Sequence, residues 1–224
     1  MDPVLPGRQR EIPEASLRRL PVYHHLLEEF MIAGVPFVSC SVIGRALNLE
    51  PTQVRKDIEA TGIIGKPKVG YPLPALVHSI EEFLGWNNTK EAILAGAGSL
   101  GSALLGYEKF RQFGINIVAA FDSDPNKIGQ TIHGKEVLAM DALTDFAHRR
   151  HLHLGVITTP AASAQSVADL MVAGGIRAIW NFAPVHLRVP DLVILQNEDL
   201  YHSLASLSFK LGKRILAERN PEQM

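Results

Sequence analysis

The chain has 224 residues, 46% of them hydrophobic, with 22 Lys and Arg against 23 Asp and Glu. That length suits one large domain or two small ones, and a formal net charge of −1 excludes whole-chain attraction to a polyanion, so any nucleic-acid contact needs a local patch. No apolar run reaches the roughly 20 residues that span a bilayer, residues 1–14 lack the apolar centre of a signal peptide, and the lone Cys40 excludes an intrachain disulfide and fits a reducing, cytoplasmic setting.

Residues 1–13, rich in Pro, Arg and Glu, read as a loose arm. Pro13 suits the first position of a helix running to about Ala33. Leu17, Leu20, His24, Leu27 and Met31 recur three and four apart along one face of it. Gly34 and Pro36 stop that helix. Ser39 or Ser41 can cap a short helix holding Val42, Ile43, Ala46 and Leu47, with Asn48 at its C-terminal turn. Cys40 lies near that helix start and reads as a small packed residue rather than a redox thiol. Glu50-Pro51-Thr52 opens another short helix to about Ala60, with Val54 and Ile58 inward. Two short helices so close together make a helix-turn-helix. The segment Gly62–Tyr71 then reads as a β-hairpin with a basic tip, a wing. Gln53, Arg55 and Lys56 become candidates for base edges and phosphates in a major groove, and Lys66 and Lys68 for an adjacent phosphate or minor groove. Basic residues only slightly outnumber acids between 39 and 71. The pattern, rather than the charge, favours DNA over an ordinary solvated face.

Residues 73–85 predict a connecting helix, and the polar stretch Trp86–Lys90 a boundary. The chain thus divides into a DNA-binding part (1–85), a nucleotide-binding part (90–198) and a dimerisation helix (199–224). From residue 91 onward, apolar strands (92–95, 115–121, 153–158, 177–181, 192–196) alternate with helices (99–113, 141–150, 161–173). That is the pattern of a Rossmann-like, mostly parallel sheet. A last helix over 199–218 carries Leu200, Leu204, Leu207, Leu211 and Ile215 as one stripe. With no later element to cover it, the stripe either folds back on its own sheet or docks on a second copy; the second is favoured.

The densest chemical signal is the strand Ala92-Ile93-Leu94-Ala95 running into Gly96-Ala97-Gly98-Ser99-Leu100-Gly101, followed by an apolar run that ends on Asp122. Strand, glycine turn, helix, strand and acid together form a dinucleotide-binding fingerprint. Gly96 allows the tight turn, Gly98 lets a pyrophosphate approach the backbone, and Gly101 lets helix and strand pack closely. Asp122 would accept from a ribose 2′-OH and repel a 2′-phosphate, favouring NAD(H) over NADP(H). The bland alternative is a glycine turn kept for packing alone. Thr158-Thr159-Pro160 and Asn181-Phe182-Ala183-Pro184 end later strands where ligands bind in this architecture. The run His148-Arg149-Arg150-His151-Leu152-His153 has no Cys or carboxylate at ligand spacing, so it reads as a solvated helix end and no metal site is expected.

With these pieces in order, the chain resembles the Rex family of redox-sensing transcriptional repressors over nearly its whole length. The resemblance rests on IPEASLRRLPVY, QVRKD, GKPKVGY, GAGSLGSALLGY, AFDSDPNKIG, TTPAASAQSVAD, NFAPVHLRVP and NEDLYHSLASLSF. It implies a homodimer of chains that each join an N-terminal winged helix to a Rossmann domain, with the C-terminal helix swapped between subunits. It implies a non-enzymatic repressor that binds a palindromic operator when NADH is low and is released by NADH. Arg55 and Lys56 match the family's DNA contacts. Gly96, Gly98, Gly101, Asp122, Thr159 and Pro160 match its NADH/NAD+ contacts, with Ala97, Ser99 and Leu100 in the same turn. Arg19, Tyr107 and Asp199 match positions that exchange polar contacts between DNA-free and DNA-bound forms, Tyr107 also lying beside the cofactor. Leu200 would sit near the nicotinamide. The chain departs from the family pattern at Thr61, usually aromatic, and at Pro67-Lys68, usually basic-Gly, both in DNA-facing elements. Three other readings stand beside this one. An NAD-dependent oxidoreductase would need a proton donor, for which Tyr107, His133 and His186 are the suggestive groups. A related regulator could sense CoA or an adenine nucleotide. A dimeric scaffold could have lost DNA binding.

Overall fold

The computed structural model describes residues 12–198 and 200–219, without the side chains of residues 200, 202, 203 and 216–219. The chain divides into two compact units, with the boundary between Asn88 and Thr89.

The first unit contains α1 (Glu14–Ile32), β1 (Phe37–Val38), α2 (Cys40–Leu47), α3 (Pro51–Glu59), β2 (Tyr71–Pro72) and α4 (Leu73–Leu84). Pro13 caps α1 rather than opening it, and its carbonyl accepts from Ser16 and Leu17 N–H at 2.8 and 3.1 Å. The buried face of α1 is Ser16, Leu20, Tyr23, His24 and Leu27. Leu17 and Met31, expected on that face, are 41% and 44% exposed. The stripe is rotated because Ser16 and Tyr23 turn toward a buried acid on α3, a polar partner that apolar spacing cannot reveal. His24 is buried as expected, bonded at 2.9 Å to Glu81 of α4. Ser39 caps α2, its hydroxyl accepting from Val42 N–H at 3.3 Å, and Asn48 ends it in the left-handed region at φ 54°. Pro51 opens α3, where its missing N–H costs nothing. Val54 and Ile58 are fully buried against Leu20, Tyr23, Leu27, Leu76 and Ile80, so α1, α3 and α4 share one core.

The expected hairpin over 62–71 is not a ladder. A single bridge joins Lys66 to Gly70, Lys68 takes a left-handed φ of 62° between them, and β2 pairs instead with β1. Pro67 has no N–H to donate, and Gly65 and Gly70 flank it, so pairing cannot propagate. The wing is a loop pinned at its base.

The second unit contains β3 (Lys90–Ala95), α5 (Ser99–Leu105), β4 (Ile115–Asp122), β5 (Thr131–Ile132), β6 (Lys135–Ala139), α6 (Leu143–Arg149), β7 (Leu154–Ile157), α7 (Ala161–Ala173), β8 (Ala178–Asn181), β9 (Ile194–Asn197) and α8 (Leu200–Arg219). The sheet order is β5-β6-β4-β3-β7-β8-β9, parallel except where β5 meets β6. Ile93 and Ala95 face the α6–α7 side, while Ala92 and Leu94 face the α5 side. Burial on both faces is why residues 92–95 of β3 read as an unbroken apolar run. The helix expected over 99–113 ends at Leu105, and a 3-10 turn over Glu108–Arg111 follows. Gly106 follows Leu105, packed so closely on the His133 ring that a Cβ there would stand 2.8 Å from it. Strands β5 and β6 were not expected. In α8, Leu204, Leu207, Leu211 and Ile215 are exposed, as are Tyr201 and Phe209. The expected stripe is present on the described residues and is uncovered in a single chain.

Candidate functional site

In the second unit the strand order turns at β3, between β4 and β7, and the glycine turn leaves from there. Gly96 has φ 100°, and its N–H donates to the Phe121 carbonyl at 2.7 Å. A Cβ on it would stand 2.8 Å from the Thr158–Thr159 backbone. A Cβ on Gly101 would fall on the Gly96 carbonyl oxygen and 2.9 Å from Thr158 Oγ1. Thr158 Oγ1 donates to the Ala95 and Gly96 carbonyls at 3.0 and 2.7 Å, tying the end of β7 to the turn. Gly98 differs: a Cβ there would meet nothing within 4 Å. Two glycines are demanded by the protein itself, whereas the third opens onto free space.

Asp122 ends β4 and is 7% exposed. Its Oδ2 accepts from Ala97 N–H at 2.8 Å and from Lys127 Nζ at 3.0 Å, and its Oδ1 accepts from Asp124 N–H at 2.9 Å. Burial alone would raise this carboxyl; the Asp124 N–H, the Lys127 ammonium and the Ala97 N–H outweigh it and hold the group below the ordinary carboxylate range. Thr159 is also buried, and its hydroxyl has no partner. Pro160 caps α7 beside it. An orphaned buried hydroxyl, an open glycine and an ionised carboxylate around one turn fit the pyrophosphate and ribose of a dinucleotide.

A cavity of about 540 Å³, lined by Leu100, Phe182, Ala183, Pro184, His186 and Tyr201 among others, lies in the same unit. Asn181 shapes it: its Nδ2 donates to the Ala183 and Val185 carbonyls and to Asn197 Oδ1, and its Oδ1 accepts from Ala183 N–H. Tyr107 and His133 line a different cavity, so they do not join His186 as one proton-transfer group. Asp199 and the Leu200 side chain lie outside the described residues.

In the first unit Arg55 and Lys56 are exposed on α3, opposite its buried Val54, Asp57 and Ile58. Gln53 is not free in the same way: its Nε2 donates to Asp57 Oδ1 at 2.9 Å. Asp57, which the sequence reading passed over, is buried and accepts from Arg19 Nε and Nη2 at 2.7 and 2.9 Å and from Tyr23 Oη at 2.7 Å. Arg19 is therefore engaged with the candidate recognition helix. Lys66 lies over the Phe37 ring at 5.5 Å, and Lys68 sits at the tip of the wing turn. Ser39, Arg55, Lys66, Lys68 and Tyr71 line a cleft of about 430 Å³. Such a cation-lined cleft suits a phosphate backbone.

Two consequences are measurable. Burial raises the Asp57 carboxyl, but the bonds from Arg19, Tyr23, Ser16 and Gln53 prevail and hold it down to about 2, against an ordinary 3.8. A depressed carboxyl stabilises the fold above its unfolded value and loses that contribution as the pH falls through its folded value. About 2 kcal/mol should therefore vanish between pH 5 and pH 2. Urea unfolding across that range is expected to show this component in the natural chain and lack it in Asp57→Asn. Gly101→Ala, by contrast, overpacks the glycine turn and is expected to cost about 1–3 kcal/mol, read as a lowered melting temperature at any pH.

The comparisons with known proteins agree with this geometry. A family described as the CoA binding domain matches residues 87–185, and a family described as "Putative DNA-binding protein N-terminus" matches residues 11–58. The redox-sensing transcriptional repressor Rex of Treponema denticola is 45% identical over 92% of this chain and 99% of that protein. Its counterparts in Bacteroides fragilis and Carboxydothermus hydrogenoformans are 40% and 41% identical, over 90% and 91% of this chain and 92% and 98% of those proteins. Among solved structures, RSP in complex with beta-NAD+ and operator DNA has a TM-score of 0.87 at 34% identity, covering 96% of this chain and all of that one. RSP in complex with beta-NADH scores 0.83 at 34% identity, over 94% of this chain and 99% of that one. The chain belongs to the Rex family of redox-sensing transcriptional repressors.

Proposed function

We propose that this protein is an NADH-released repressor that binds operator DNA as a cytoplasmic homodimer and catalyses nothing. Arg55 and Lys56 of α3 contact the major groove, with Gln53 beside them. Lys66 and Lys68 of the wing contact a flanking phosphate. The dinucleotide lies over Gly96, Ala97, Gly98, Ser99, Leu100 and Gly101. Asp122 reads its ribose, Thr159 and Pro160 line its path, and Leu200 lies at the nicotinamide end. Arg19, Tyr107 and Asp199 act in the switch. The observation that carries this reading is the Gly98–Thr159–Asp122 arrangement: free space, an unpartnered buried hydroxyl and an ionised carboxylate around one turn. A relative solved with both NAD+ and operator DNA, alike over almost the full chain, supports the combination.

The sensing step needs no chemistry. An oxidised nicotinamide carries a positive charge and the reduced ring does not, so the apolar wall formed by Leu100, Phe182, Ala183 and Pro184 favours NADH, against the pull that Glu198 on the same lining exerts on a cation. The transmitted signal equals the difference in NADH affinity between the DNA-binding and released forms, and no more. The dimer is supported by α8, whose exposed Leu204, Leu207, Leu211 and Ile215 have no cover in one chain; exchange of that helix between copies would provide it. A CoA-sensing variant has one observation behind it, the matching CoA-binding family. Asp122 disfavours it, because CoA also brings a phosphorylated ribose against the carboxylate. Gel-shift titration decides the matter: NADH at tens of micromolar releases the operator, CoA does not, and sedimentation gives twice the chain mass. Operator binding indifferent to NADH defeats the proposal.

A further inference from the structure

Asp122, the acid assigned above to the ribose, is one half of an ion pair. Lys127 Nζ stands 3.0 Å from its Oδ2 and 3.9 Å from Asp124 Oδ2. The turn after β4 fixes the lysine's starting point, since the backbone N–H groups of Lys127 and Ile128 both donate to the Asp124 carbonyl. Asp124 is itself occupied, its Oδ1 accepting from the backbone and side-chain nitrogens of Asn126 at 2.9 and 3.1 Å. The cation thus leans on the carboxylate that reads the ribose, and a third of its side chain remains open to solvent.

We propose that Lys127 is a second specificity-determining residue of the nucleotide site: paired with Asp122 it holds that carboxylate toward an unphosphorylated ribose, and with the carboxylate charge removed it becomes the cation that receives a 2′-phosphate. The proposal rests on the nucleotide-binding reading given above. A phosphate monoester brings about −1.5 to −2 charges at neutral pH, and Rossmann sites that accept it place a basic residue at this corner. A lysine serves there as a point charge. In this protein that cation is already present, paired with Asp122 at 3.0 Å and more loosely with Asp124 at 3.9 Å.

The test is direct binding of NADH and of NADPH to the full chain, followed by nicotinamide fluorescence. The proteins are the natural sequence, Asp122→Asn, and Asp122→Asn combined with Lys127→Met or with Lys127→Arg. Asparagine keeps an oxygen for the Ala97 N–H. The natural chain should prefer NADH at least tenfold. Asp122→Asn should move the preference at least tenfold toward NADPH. Adding Lys127→Met should cancel that movement, whereas Lys127→Arg should keep it. The proposal is overturned if the movement is the same with and without Lys127. It is equally overturned if no movement occurs, the result expected should Lys127 swing to Asp124. Lys127→Met alone removes no backbone bond and gives a reading even if the Asp122 variants misfold: NADH affinity should fall at least threefold, and unchanged affinity counts against the proposal. A natural chain that binds neither nucleotide overturns the nucleotide-binding reading itself, a different result from all of these.

Discussion

Arg55→Ala combined with Lys56→Ala is expected to weaken operator binding severely while leaving the fold and the response to nucleotide intact. Both side chains are exposed, and the turn that carries them is fixed from the other side by Val54, Asp57 and Ile58. Removing them leaves no cavity and no unpaired buried group, so thermal stability should move by less than about 0.5 kcal/mol. Each lost contact to a base edge or phosphate is worth about 1–3 kcal/mol, so the pair should weaken binding on the order of 10²–10⁴-fold. The salt dependence separates the two residues. A side chain that touches phosphate lowers the slope of log affinity against log salt by about one, whereas a side chain that reads a base relaxes sequence preference instead. Gel shifts at several salt concentrations with each single variant give the assignment. Undiminished operator binding by the double variant would remove α3 from the interface.

The sequence announces the nucleotide half more clearly than the DNA half, for physical reasons. Strand β3 is buried on both faces, so Ala92 to Ala95 must all be apolar, and the run is visible without a structure. Gly96 and Gly101 are forced by backbone crowding that leaves no alternative residue. Asn48 marks its helix end because few residues tolerate a left-handed backbone. Strands β5 and β6 escape notice because β5 is only two residues long and β6 opens on Lys135-Glu136, with only Val137 of β6 fully buried. Asp57 escapes for a different reason. An acid between Lys56 and Ile58 reads as surface charge, and its burial depends on Arg19 and Tyr23, more than thirty positions earlier in the chain. The same coupling rotates the buried stripe of α1 and turns the Gln53 amide inward. The wing shows Gly, Pro and Lys as turn residues, but no local rule states that its return strand pairs with β1, on the far side of both helices.

Gly98→Val should convert the protein into a repressor that ignores NADH. At φ −78° and ψ −166° the backbone of Gly98 is extended, a conformation any residue adopts, and an added Cβ meets nothing within 4 Å. At the Cβ neither strain nor overpacking follows, so the nucleotide-free protein should melt close to the natural one and hold operator equally well. The side chain extends into the open space beside the turn. If a pyrophosphate lies there, the valine keeps it from the backbone N–H groups at the head of α5, and charge-assisted bonds worth about 1.5–3 kcal/mol each are lost. Two such bonds amount to a drop in NADH affinity on the order of 10²–10⁴-fold. The contrast with Gly101→Ala is what makes the experiment decisive. That substitution adds less volume yet should destabilise the fold, because its Cβ meets the Gly96 carbonyl and the Thr158 hydroxyl. A glycine turn kept only for packing predicts the reverse at position 98: valine there would be harmless to every function. Operator release by NADH that survives Gly98→Val would therefore take the pyrophosphate away from this turn.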